Sequence, residues 1–339
     1  MENQIKQKLN RELIGFQEKL PIKIVQFGGG NFMRGFTDYV IDKLNKEAGF
    51  NAGIVNVQPT PGGSVHKLEE QDNLYTLFSR GIKKGEIIDT KQVISAIQKS
   101  INPYTNYDEF LALAKEEELE FIFSNTTETG IAYDESENDY AGPHKNFPAK
   151  VTVLLHERFK HFNGAIDKGL RIIPCELIED NALALKEIIL KYAQLWNLDS
   201  NFVQWIEQSN CFHNTLVDRI VPGYPKDDAE TYEDQLDYED QMMVVSEVFL
   251  LFVIQDAANL KERIPFDKID EQILVVDDIQ PYRLRKVRIL NGGHTLMLAP
   301  AILSGKETVK ESIDDQFLGK FLSETIFNEV NPTLGLDEN

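Results

Sequence analysis

Residues 22–27, Ile-Lys-Ile-Val-Gln-Phe, form a short apolar run that ends on Gly28-Gly29-Gly30. The stretch behind it repeats apolar residues at helical spacing through Phe36, Val40 and Leu44. This pattern predicts strand, turn and helix. Ile54-Val55-Asn56-Val57 then completes a βαβ unit of about thirty residues, the length a parallel crossover needs. Ile87-Ile88, a helix-like 107–116, Phe121-Ile122-Phe123 with the loop SNTTETG behind it, and Leu170-Arg171-Ile172-Ile173-Pro174 continue the alternation. The expected fold is α/β, a doubly wound parallel sheet. From Pro281 onward long helical patterns replace strands, so an α/β domain at 1–275 and a mainly α-helical domain at 276–339 are expected. No internal repeat is found.

Composition narrows the partners. Lysine and arginine number 35 against 55 aspartates and glutamates, a net charge of −20 that repels phosphate backbones and anionic membrane surfaces. No nucleic-acid or membrane partner is expected. With 339 residues, 42% of them hydrophobic, the chain can bury the cores of about two domains. Its longest strongly apolar run, Val248 to Ile254, falls far short of the ~18–20 residues of a membrane span, and the charged N-terminal stretch lacks the apolar segment of a secretion signal. A cytoplasmic location is expected. Two cysteines, Cys175 and Cys211, without metal-ligand spacing argue against both a disulfide framework and a structural zinc. Residues 227–240 carry eight acids and read as a solvated surface segment.

Three groups of residues carry candidate chemistry. In the first βα turn, Gly28, Gly29 and Gly30 would let backbone N–H groups approach a pyrophosphate, with the helix N-terminus and Arg34 adding positive charge. The spacing is longer than the usual dinucleotide fingerprint, and an ordinary βα turn is the other reading. The second strand ends in Gln58-Pro59-Thr60, with neither the acid that marks NAD nor an arginine that marks NADP, so these rules leave the cofactor open.

The second group lies in the segment Tyr282 to Thr295. On an ideal helix at ~100° per residue, Asn291 stands ~140° and His294 ~80° around from Lys286, so all three edge one broad stripe. A lysine acts as general base in alcohol oxidation only when burial or neighbouring cations lower its ordinary pKa of about 10.4, and Arg283 is one turn away. Asn and His would hydrogen-bond the carbinol oxygen. Alternatively Asn-Gly-Gly ends the helix, His294 is structural and Lys286 is a surface cation. Against this, Leu296-Met297-Leu298-Ala299 resumes an apolar helical run, although two interior glycines cost ~1 kcal/mol each.

The third group follows the strand ending at Pro174: Cys175-Glu176 and Asp180-Asn181, on the side of the sheet where α/β sites collect. Asp180 or Asn181 also suits the N-cap of the helix carrying Leu185, Ile188 and Tyr192, and sequence physics favours that reading. In Asn214-Thr215-Leu216-Val217-Asp218-Arg219, Asp218 and Arg219 read as a structural ion pair.

QFGGGNFMRGF, QDNLYTLFSRG, FSNTTETGI, FNGAIDKG, IIPCELIEDN, NTLVDRIVPGYP, FVIQ and VDDIQPYRLRKVRILNGGHT occur in one order over essentially the whole chain. In these segments the chain resembles the polyol-specific long-chain dehydrogenases of the mannitol dehydrogenase family, and among them the branch that interconverts tagaturonate and altronate. The resemblance implies a large Rossmann-type NAD domain followed by a helical substrate domain, with the active site in the cleft between them. It implies reversible, metal-independent hydride transfer between NAD and a sugar acid, in galacturonate breakdown. By the same resemblance Lys286 is the general acid and base, Asn291 and His294 hold the reacting oxygen, Asn181 is a further catalytic asparagine, and Asp218 with Asn214 belongs to the substrate site. The NAD segment falls on Val25, Gln26, Phe27, Gly28, Gly29, Gly30, Asn31, Phe32, Met33, Arg34, Gly35 and Phe36. Gln58 takes the adenosine-ribose position, and Asn125, Thr126, Thr127 and Glu128 lie near the nicotinamide half.

Family members run on past Asn339 with helices that supply a substrate-binding arginine, so the helical domain is expected to be incomplete and turnover by this chain alone weak or absent. Alternatives within the family are fructuronate–mannonate or fructose–mannitol chemistry; Asn31, where those branches resemble G-x-F-H-R-A-H, favours the tagaturonate branch. Outside it the alternative is a truncated, non-catalytic NAD-binding protein, which need not keep Lys286, Asn291 and His294.

Overall fold

Six short strands, most of them largely apolar, build the main sheet: β1 (Ile22–Phe27), β2 (Gly53–Val57), β3 (Ile97–Ile101), β4 (Phe121–Ser124), β5 (Arg171–Pro174) and β6 (Cys211–Phe212). They belong to a computed structural model that describes residues 6–16, 19–63, 65–127, 129–269 and 271–335. Its backbone divides into two compact units, Met1–Val275 and Val276–Asn339.

All neighbours in the main sheet run parallel, in the order β3-β2-β1-β4-β5-β6. This is the strand order of a dinucleotide-binding doubly wound sheet, and its direction reverses between β1 and β4. A parallel sheet is covered on both faces, so consecutive strand residues are buried alternately on either side. Ile24, Ile54, Phe121 and Phe123 pack with Val40, Ile41 and Leu44 of helix α2 (Thr37–Ala48), which follows the one-turn helix α1 (Asn31–Gly35). Val25, Phe27, Val55, Val57 and Ile122 pack with helices α3 (Phe147–His161) and α4 (Asn181–Leu195) on the other face. Helix α3 starts where Asn146 accepts the Ala149 N–H at 3.2 Å with Pro148 in the first turn.

Two expectations change here. Ile87-Ile88 does not join the parallel alternation: it lies in Glu86–Ile94, paired antiparallel with Tyr75–Lys83, and Ile87 is 85% exposed. Val244–Glu247 runs parallel to Tyr75–Lys83 and makes a separate three-stranded sheet. The acidic 227–240 is not wholly solvated. Asp240 is buried, and its carboxylate accepts from Gln71 Nε2, the Thr76 N–H and the Met242 N–H at 2.5–2.8 Å. The apolar run around Val253 is the middle strand, Leu251–Gln255, of a third sheet with Thr215–Asp218 and Gln272–Val276. Among the described residues no helix is long and apolar enough to cross a membrane.

Among its described residues the second unit is mainly helical. Gln280–Arg285, Lys286–Asn291 and Gly292–Leu303 follow without a break, Thr308 and Glu311 form a capping box for Val309–Asp314, and Asp315 caps Gln316–Thr325. Met297, Ala301 and Leu322 form its small core.

Asp38, in the first turn of α2, is buried beside Tyr75, whose hydroxyl donates to Oδ2 at 3.1 Å. Burial pushes its pKa up to about 7. The folded state therefore holds this proton more tightly than the unfolded chain, and the stability it brings is complete below the ordinary aspartate pKa and lost as pH rises through about 7. Asp38→Asn removes that loss. Measured by urea denaturation, the variant should gain on the wild type by about 1–4 kcal/mol between about pH 5 and pH 8. A difference that stays constant across that range would contradict the buried titration.

Candidate functional site

The glycine loop lies at the carboxyl end of β1, at the switch point of the sheet. Gly28 has φ +116°, and a β-carbon there would stand 2.7 Å from the Asn125 carbonyl oxygen. A β-carbon at Gly29 would stand 2.4 Å from Asn56 Nδ2, whereas nothing lies within 4 Å of one at Gly30. The loop is thus tight against the sheet and open above. Helix α1 begins at Gly30 in extended conformation with no side-chain cap, leaving its first N–H groups available to an anion. These features fit the pyrophosphate of a dinucleotide.

The side chains around the loop are mostly scaffold. Val25, Phe27, Met33 and Phe36 are core residues, and Phe32 stacks on Phe36 with ring centroids 4.8 Å apart. Gln26 is buried and donates to the Gly28 carbonyl at 3.0 Å. A β-carbon at Gly35 would strike Val221. Arg34 corrects the expectation of a phosphate-facing cation: its guanidinium donates to the Met242 carbonyl and to Asn31 Oδ1 (2.8 Å) and lies over the Tyr75 ring. Gln58, at the end of β2, is turned into its own loop, donating to the Thr60 and Pro61 carbonyls at 2.7 and 3.2 Å.

A second loop rises from β4 beside the first. The Asn125 N–H donates to the Phe27 carbonyl at 3.1 Å and its Nδ2 to the Cys175 carbonyl at 2.9 Å. Thr126 donates through its N–H and Oγ1 to Glu176 Oε1. Thr127 has φ +77°, an outlying conformation for a β-branched residue. Glu128 lies outside the described residues.

Asn181 and Asn214 are brought together, but as internal fasteners. Asn181 is fully buried; its Nδ2 donates to the Pro174 and Glu176 carbonyls and to Thr215 Oγ1, and its Oδ1 accepts from the Ala182 and Thr215 N–H groups. In this arrangement its amide is engaged by these internal partners. Asp180 adopts φ +47° and makes no side-chain cap; Asn214 Oδ1 reaches across instead, accepting from Ala182 and Leu183 N–H at 3.1 and 3.3 Å. Asn214 therefore caps α4, a role set by the fold and not by sequence proximity. Arg219 donates to the Glu247, Gly35 and Ser79 oxygens and lies 4.5 Å over the Tyr39 ring. Asp218 is half-buried at the end of Thr215–Asp218.

In the second unit the Asn-Gly-Gly sequence does not stop the helix. Lys286–Asn291 is a π-helical turn in which the Gly292 N–H bonds the Val287 carbonyl five residues back. Such turns take in more residues than the 3.6 of an α-helix, so Asn291 falls closer to Lys286 around the axis than the ~140° of ideal α-geometry. Three α-helical steps then return His294 to the same side. Lys286 is half-buried, Asn291 and His294 are exposed, and a cavity of about 390 Å³ beside His294 is lined by Met297, Ala301, Lys306 and Thr308.

The linear sequence gives little notice of Asn56. It is a polar residue in the centre of an apolar strand, fully buried, and among the described residues neither its Nδ2 nor its Oδ1 has a hydrogen-bond partner. The break in the run Ile-Val-Asn-Val was its only signal.

Comparison with known proteins identifies the family and the fold. The mannitol dehydrogenase Rossmann domain model matches residues 22–268, and the mannitol dehydrogenase C-terminal domain model residues 278–339. Proteins named altronate oxidoreductase from Yersinia enterocolitica and Escherichia coli are each 46% identical, over 94% and 93% of this chain. The chain spans 66% of the length of each of these relatives. In fold it is similar to D-sorbitol dehydrogenase in substrate-free form (TM-score 0.82, 23% identity, 98% of this chain and 72% of that one). It is also similar to Pseudomonas fluorescens mannitol 2-dehydrogenase in a ternary complex with NAD and D-mannitol (TM-score 0.78, 22% identity, 98% and 70%). Matched by the models of both its domains, the chain belongs to the mannitol dehydrogenase family.

Proposed function

We propose that the chain acts in an NAD-dependent oxidoreductase that interconverts D-tagaturonate and D-altronate. The observation that best supports the reaction class is the unbroken helical run Gln280–Leu303, with a π-turn at Lys286–Asn291, which carries Lys286, Asn291 and His294 together. The 46% identity to proteins named altronate oxidoreductase supports the choice of sugar acid.

In this reading the Gly28–Gly30 loop and the open start of α1 hold the cofactor pyrophosphate, with Asn125 to Thr127 along the nicotinamide half. NADH, when bound, supplies the hydride. Lys286 gives a proton to the carbonyl oxygen of the sugar acid as it is reduced and takes it back in oxidation. Asn291 and His294 hydrogen-bond that oxygen and stabilise its developing negative charge. Asp218 is assigned to the substrate's hydroxyl groups. Asn181 and Asn214 act by fixing the ends of β5 and α4. The protein belongs in the cytoplasm in this reading, with a small sugar acid as its partner.

The test is NADH oxidation with tagaturonate, fructuronate and fructose in parallel, repeated with NADPH. Tagaturonate with NADH should be fastest. A faster rate with fructuronate or fructose would reassign the substrate, and preference for NADPH would overturn the cofactor.

A further inference from the structure

We propose that Glu176 is a positioning residue for cofactor binding, a buried carboxylate at the end of β5 that clamps the loop after β4 against the glycine loop. The proposal rests on the dinucleotide reading above. Glu176 is only 2% exposed. Its Oε1 accepts from the Thr126 N–H at 2.9 Å and from Thr126 Oγ1 at 3.0 Å, and its Oε2 accepts from Ser124 Oγ at 3.0 Å.

These bonds grip the residues on either side of Asn125, whose carbonyl is the atom that a side chain at Gly28 would strike. The position of the glycine loop and that of Asn125 are therefore linked, and Glu176 holds the second. Just beyond the grip, Thr127 sits at φ +77°, a conformation that persists only where its surroundings enforce it. Among the described residues the carboxylate's partners are hydroxyl and backbone N–H groups and no cation. Burying a carboxylate on such terms is costly, and burial raises its pKa. Simple packing would be served better by an apolar side chain.

The clamp is a matter of geometry, which two substitutions separate from charge. Glu176→Gln keeps an oxygen for Thr126, and its amide can donate to Ser124 Oγ; Glu176→Ala keeps neither. NADH affinity, followed by fluorescence titration, should fall between about 10- and 100-fold in Glu176→Ala and return to near wild type in Glu176→Gln. Hydrogen exchange at the Thr126 amide should quicken in the alanine variant alone, and steady-state kinetics should show the loss in KM for NADH more than in kcat. If Glu176→Ala does not fold, Ser124→Ala removes one of the three bonds and should weaken NADH binding by about threefold.

Unchanged NADH affinity in the alanine variants overturns the clamp. So does a Glu176→Gln protein as weak as Glu176→Ala, since the charge and not the geometry would then matter. A wild-type protein that binds no NADH removes the dinucleotide reading and the clamp together, an outcome distinct from both.

Discussion

Lys286→Ala should lower the turnover of tagaturonate with NADH by roughly 10²–10⁴-fold, the range for loss of a positioned general acid. The lysine is assigned to the sugar acid's carbonyl oxygen and not to the cofactor, so NADH affinity should be unchanged. Lys286→Arg sharpens the test. A guanidinium retains the positive charge but does not give up its proton in proteins, so it can bind an anionic oxygen without protonating it. If proton transfer is the lysine's task, the arginine variant should be nearly as slow as the alanine variant. Turnover close to wild type in Lys286→Arg would leave only an electrostatic role, and full activity in Lys286→Ala would remove the residue from the mechanism.

The second large effect is expected at Gly29. A β-carbon at this position would lie 2.4 Å from Asn56 Nδ2, closer than any stable contact, and Asn56 is fully buried. The loop must then lift from the sheet in Gly29→Ala, moving the N–H groups that would receive the pyrophosphate. NADH affinity should fall roughly 100-fold, the cost of misplacing such groups by about 1 Å. Asn56→Ala provides the missing room, so Gly29→Ala combined with Asn56→Ala should bind NADH more tightly than Gly29→Ala alone. Because the two residues touch, their effects should not add. Simple additivity in the double variant would show that the loop is not seated on Asn56.

Much of this arrangement is legible in the sequence, because the features that encode it are local. The run Ile22 to Phe27, the three glycines and the spacing of Phe36, Val40 and Leu44 all report on neighbours a few residues away, and they mark the loop and its helix. Features that depend on distant partners are hidden. Ile87-Ile88 has the same apolar texture in an exposed hairpin as in a buried parallel strand, and only pairing with Tyr75–Lys83 decides between them. Asn214 reads as a site residue, yet it caps a helix that starts more than thirty residues earlier. Arg34 stands beside the glycines in sequence, but the Met242 carbonyl draws its guanidinium away. The stripe through Lys286, Asn291 and His294 is legible in the sequence, but its angles are not. Angular arithmetic assumes 3.6 residues per turn, and one π-turn moves every later side chain around the axis.

The pairing of Val244–Glu247 with Tyr75–Lys83 also has a consequence in time. Ser79 and Ser246, bonded across these strands, are 167 residues apart, and Arg34 likewise waits for Met242. At about 5–20 residues per second of synthesis, the segment after the glycine loop lacks these partners for roughly 10–40 s on the ribosome. Throughout that interval Tyr75–Lys83 has only its hairpin partner, and its other edge stays open to wrong pairing. The vulnerable period of this protein is therefore its own biosynthesis, and slowed elongation ahead of residue 247 would lengthen it.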